Sequence, residues 1–267
     1  MVLLVRSALT LTLLALTVEH VECREWRWIK PVIDSEVTRL LQPEADVLLS
    51  NFCRDKLRSV PKVGLECSVR TRLGERFADI VDDSFHPEGV IYGHFLGPTS
   101  DDAAVSGWSA ETHPMLWGGT LLLTKRNGTW DPVWYKSSAI THSCRKFGTP
   151  TGKDILLCEE EDAGMGAQVH YLYSLDLTKP VDIRDTLLVE ARSFNDGCTV
   201  RKQEIQRITW ATKTRRIDVT LVTPEWRDVS TDACAGNHQQ REKRPASVSI
   251  TSFELVESGF RSLKPSK

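Results

Sequence analysis

The sequence holds little that would serve catalysis or a membrane span. Its seven cysteines never fall in a C-x-x-C spacing, so the usual redox and zinc signatures are missing. No H-x-x-x-H or H-E-x-x-H occurs among the seven histidines, which removes the local zinc-enzyme motifs. There is no G-x-S-x-G elbow: Gly107-Trp108-Ser109-Ala110 lacks the final glycine. Beyond residue 23 no stretch approaches about 18 uninterrupted apolar residues, so no later segment reads as a bilayer span. Charge of one sign is lacking too. The 34 basic and 36 acidic residues leave a formal net charge of −2 and no electrostatic basis for binding nucleic acid. No cofactor is expected.

What is present begins at the N-terminus. In "MVLLVRSALTLTLLALTVEHVEC" a single cation, Arg6, precedes an apolar run from Ala8 to Val18. This pattern predicts a signal peptide over residues 1–23, with cleavage after Thr17 or Cys23. Glu22 stands where a lipoprotein signal wants a small residue. The expected product is a secreted or periplasmic chain of about 245 residues, enough for one large β domain or two small ones. Without Cys23 six cysteines remain: Cys53, Cys67, Cys144, Cys158, Cys198 and Cys234. Six allow fifteen pairings. Position along the chain favours Cys53–Cys67, Cys144–Cys158 and Cys198–Cys234, and an oxidising compartment favours disulfides over metal.

Residues 24–64 are expected to form a short helical segment. Val37, Leu40 and Leu41 share a helical face, and Pro43 is placed to start a second helix in its first turn. Pro61 and Gly64 end the region. From about residue 65 to 267 the reading is β, with short runs rich in Val, Ile, Leu, Thr, Tyr and Trp between Gly, Pro, Asn and Asp turns. Candidate strands are 90–95, 103–108, 119–125, 130–136, 155–158, 168–174, 186–191, 204–212, 216–222 and 248–255. Asn127-Gly128 in "KRNGTW" supplies the positive-φ pair of a tight hairpin. The same Asn127 opens an N-x-T sequon, a glycosylation site where the source modifies such sites.

The chain also aligns with itself. "GPTSDDAAVSG" (97–107) matches "GTPTGKDILLC" (148–158), and each copy continues into a glycine and another strand: "GGTLLLTKRNG" and "MGAQVHYLYSLD". The spacing of about 50 residues is the size of one propeller blade. The two copies cover about 90–136 and 147–176. On Gly93, Phe95, Gly97, Asp102 and Gly119 the chain resembles the FG-GAP/VCBS repeat of integrin-α-like β-propellers, over Val90–Asp176. That resemblance implies a mainly β fold of propeller-like blades in a partial or small ring; a β-sandwich is the alternative. It also implies a Ca²⁺ loop at residues 94–102. Here His94, Leu96 and Pro98 stand at the first ligand positions and only Asp102 survives, too few hard oxygens for Ca²⁺. No metal is expected in this degenerate loop, and its aspartate is expected to cap the turn.

Other constellations compete with plain structural readings. "CEEEDAGMG" (158–166) reads as a solvated acidic loop. His94 and His170 are candidates to face a shared space. Glu111 and His113, two apart on an extended chain, point to one side and form the best acid/base pair. Among the eight tryptophans, Trp108 and Trp117 are the candidate binding aromatics. The expectation is a non-enzymatic binding module for a protein or glycan ligand. A secreted hydrolase of glycans or esters using Glu111/His113 is the alternative.

Overall fold

A computed structural model describes residues 31–70, 73–80, 84–109, 118–137, 139, 141–164, 167–178, 187–195, 200–201, 203–223, 226–227, 242–243 and 246–263. The fold is mainly β, built from antiparallel sheets in which most strands pair with their sequence neighbours.

The first sheet holds β1 (Thr38–Arg39), β2 (Arg58–Val60), β3 (Gly64–Ser68), β4 (Ser84–Gly93), β5 (Asp102–Trp108), β6 (Gly119–Arg126) and β7 (Thr129–Lys136). Its order is β2-β3-β4-β5-β6-β7, and β1 pairs with β4 at Thr38↔Val90. The second is β8 (Cys144–Gly148), β9 (Asp154–Gly164), β10 (Ala167–Leu175), β11 (Leu187–Asn195) and β12 (Val200–Arg201), again in chain order. The third runs β13 (Glu204–Ala211), β14 (Arg216–Thr223), β17 (Ser247–Val256) and β18 (Gly259–Leu263). A separate pair joins β15 (Trp226–Arg227) to β16 (Glu242–Lys243). Among the described residues the only α-helix is α1 (Gln42–Leu48).

Side-chain alternation explains the stacking. Strands β5 and β6 are buried on both faces, which is why they read as unbroken apolar runs. Leu121 and Leu123 enter a cluster with Leu48, Phe52 and Phe85 on the α1 side, while Leu122 points the other way, towards Leu156 and Tyr173 of the second sheet. Strand β9 repeats the device: Leu156 and Cys158 face the first sheet, and Ile155 and Leu157 face Ile217, Val219 and Phe253 of the third. Three sheets are therefore layered face to face, as successive blades are, with α1 covering the outer face of the first. Asp102 opens β5 in the first sheet and Asp154 opens β9 in the second.

Two elements differ from the sequence reading. Pro43 does sit in the first turn of α1, but the chain before it is extended rather than helical. Val37 packs into the cluster between sheets one and two, whereas Leu40 enters the α1 cluster. Residues three apart share a helical face but fall on opposite sides of a strand. The acidic run Glu159–Asp162 is not a loop. It continues β9, paired with β10 throughout. Glu159 is buried because its carboxylate accepts the N–H groups of Val32 (3.0 Å) and Ile33 (3.2 Å) and a bond from the Ser143 hydroxyl (3.2 Å).

Two disulfides are formed. Cys53–Cys67 ties the segment after α1 to β3, and Cys144–Cys158 bridges directly opposed residues of β8 and β9. Cys198 and Cys234 lie outside the described residues. No helix among the described residues is long and apolar enough to cross a membrane.

Candidate functional site

The β4–β5 turn, the β6–β7 hairpin and the start of β9 meet at an open cleft of about 630 Å³. Its floor is the β4–β5 turn. Asp102 is almost fully buried; its Oδ2 accepts the Leu96 N–H at 2.7 Å and a bond from the Ser100 hydroxyl, which itself accepts the Gly97 N–H at 3.1 Å. These bonds close the turn on itself. Asp154 holds the equivalent place in the second meander and uses its carboxylate differently, reaching across to accept the His94 N–H at 2.8 Å. Gly93 makes that reach possible, since a Cβ there would stand 2.9 Å from Asp154 Oδ2 and 2.7 Å from the Phe95 ring.

The walls carry aromatics and cations. Tyr92 and Trp130 have ring centroids 6.0 Å apart at 50°. Lys125 Nζ lies 5.9 Å from the Trp130 ring, within cation–π range. Its backbone N–H donates to the Asp101 carbonyl at 2.7 Å, fixing the hairpin against the turn. Lys146, on β8, donates through Nζ to the Tyr92 carbonyl at 2.6 Å. The Tyr92 hydroxyl donates to Glu44 of α1 at 2.7 Å. Burial, and then that carboxylate, hold the phenol well above its ordinary range, so it remains a neutral donor. The cleft thus offers flat apolar ring surface beside donors (Lys125, Lys146) and acceptors (Asp101, Asp154). Among the described residues no group of three or more His, Cys, Asp or Glu side chains is placed to hold a metal ion.

Of the residues singled out from sequence, His94 and Asp102 lie in this cleft. Trp108 does not. It ends β5, six residues and so about 20 Å along the strand from Asp102, where it stacks on His86 with centroids 3.8 Å apart. Glu111, His113 and Trp117 lie outside the described residues. His170 does not share a space with His94: it is buried on the opposite side of β10, its Nε2 3.2 Å from Glu159 Oε2. Asn127 is exposed at the tip of the β6–β7 hairpin with φ 49°, followed by Gly128 at 84°, the positive-φ pair of a tight turn. Sequence reasoning missed Tyr92, Lys125, Trp130 and Lys146. For Trp130 a signal existed, its position just after a hairpin turn. For Lys146 there was none, because β8 itself was not recognised.

Comparison with known proteins returns no match: no family model, no curated protein and no solved structure corresponds to this chain.

Proposed function

We propose that the chain is an exported binding protein that recognises a glycan through the Tyr92–Trp130 cleft, and that its first two meanders are degenerate repeats of the FG-GAP type. The observation that carries the reading is the pairing of two aromatic rings with unlike polar groups, Lys125, Lys146, Asp101 and Asp154, in one open cleft. Sugars present apolar C–H faces and rings of hydroxyls, and such a surface meets both. Asp102 and Asp154 each commit Oδ2 to closing or joining the turns, a structural duty that supports binding over acid/base chemistry and leaves Asp154 Oδ1 to face a ligand. Disulfides at Cys53–Cys67 and Cys144–Cys158 and the signal-like N-terminus support export. The equivalent positions of Asp102 and Asp154 support the repeat.

A glycan array on the full secreted chain, followed by calorimetry on its best hit, tests the binding reading. Trp130→Ala is expected to weaken affinity about tenfold, the effect of roughly 1.4 kcal/mol. Tyr92→Phe is expected to bind normally, because its hydroxyl is turned to Glu44. An array without hits, or an unaltered affinity in Trp130→Ala, removes the glycan assignment.

A further inference from the structure

We infer that Asn127 carries an N-linked glycan that forms one wall of the cleft. Asn127-Gly128-Thr129 is the sole N-x-S/T sequon in the chain. The structure puts it where a bulky attachment costs nothing in packing: Asn127, Gly128 and Thr129 are all exposed, and a Cβ placed on Gly128 would meet nothing within 4 Å. It also puts the sequon at the cleft edge. Lys125 lies two residues before Asn127 and Trp130 three after, and both line the cleft.

In the folded hairpin the Thr129 hydroxyl donates to the Arg126 carbonyl at 3.0 Å, and Asn127 is held in the left-handed region. Transfer therefore precedes closure of the hairpin. The Asn127 amide nitrogen attacks C1 of a lipid-pyrophosphate-linked oligosaccharide. The new N–C bond replaces the C–O bond to pyrophosphate, which leaves with the electron pair, and the proton lost by the amide balances the negative charge of the departing lipid pyrophosphate. Once the hairpin has closed, the sugar chain projects from its tip beside Lys125 and Trp130.

This inference rests on the export reading, and the wall it describes is that of the proposed binding cleft. The full chain is expressed in secreting eukaryotic cells and its mass compared before and after an amide-cleaving glycosidase. One glycan's mass is expected to disappear, and to be absent already from Asn127→Gln and Thr129→Ala. Removing the glycan is expected to raise acetylation of Lys125 by an amine reagent at least twofold, while Lys213, exposed in the β13–β14 turn, is unchanged. An unmodified wild-type chain, or a mass loss that persists in Thr129→Ala, overturns the site. Equal Lys125 labelling before and after overturns the wall. Chain retained in the cells overturns the export premise, and a failed glycan array leaves the mass shift standing, so each failure is told from the others.

Discussion

Asp154 and His94 are joined by two hydrogen bonds across sixty residues of chain: the His94 N–H donates to Asp154 Oδ2 at 2.8 Å, and the Asp154 N–H donates to the His94 carbonyl at 2.9 Å. This pair links the β4–β5 turn of one meander to the first residue of β9 in the next. It therefore sets how two neighbouring sheets meet at the cleft. Asp102, which opens β5 as Asp154 opens β9, instead uses its Oδ2 within its own turn.

Removing that carboxylate should loosen the junction. Asp154→Ala takes away the acceptor of an exposed N–H that water can then reach, a loss of about 0.5–1.5 kcal/mol. Asp154→Asn retains an oxygen there and should lose less. Thermal melts of the two variants check this, with about 2–4 °C expected per kcal/mol in a chain of this size. If Asp154→Ala melts with the wild type, the side-chain bond contributes nothing.

Gly97 and Gly119 make opposite forecasts. A Cβ at Gly119 would stand 2.3 Å from the Lys136 carbonyl oxygen and 2.7 Å from Ser137 Cα, so Gly119→Ala must push β6 and β7 apart. Its expected cost is about 1–3 kcal/mol. A Cβ at Gly97 would meet nothing within 4 Å and needs no positive φ. Gly97→Ala should be neutral or stabilising by up to about 1 kcal/mol, through the unfolded chain. Denaturant titration separates them, and equal midpoints for the two variants would contradict the close approach at Gly119.

The acidic face of β9 should respond to pH. Glu160 lies opposite Tyr171, and burial, then the neighbouring Asp162, push its carboxyl from 4.5 up to about 7. With the folded value above the unfolded one, the folded chain holds the extra proton between those limits. This contribution to stability is whole below the unfolded value and fades as pH rises through about 7. Glu160→Gln is thus expected to raise Tm at pH 8 and to leave it nearly unchanged at pH 4. A gain of the same size at both pH values would mean that ionisation is not the cause.

Much of the architecture is legible in the sequence, for local reasons. Short runs rich in Val, Ile, Leu, Thr, Tyr and Trp, bounded by Gly, Pro, Asn and Asp, located most strands of the three sheets, and Asn127-Gly128 identified its turn, because strand propensity and positive φ are written in neighbouring residues. The Cys144–Cys158 pairing followed from cysteines bracketing a turn-rich segment, and Cys53–Cys67 from the need to pin the N-terminal segment to the first strand. Where the outcome turned on what lies across a sheet, local pattern misled. Val37 and Leu40 looked like one helical face and entered two different cores. Glu159 looked solvated and is buried, because Val32 and Ile33, far away in the chain, supply the N–H groups that its charge requires.

The cleft divides along the same line. The residues of one chain segment, His94 through Asp102, could be read as a turn whose hard-oxygen ligands are missing, since ligand chemistry depends only on which side chains are there. That Tyr92, Trp130, Lys146 and Asp154 converge on that turn was decided by the stacking of two meanders. Side chains from separate sheets become neighbours only when both faces of the intervening strands are buried, and no short-range signal records that long-range packing.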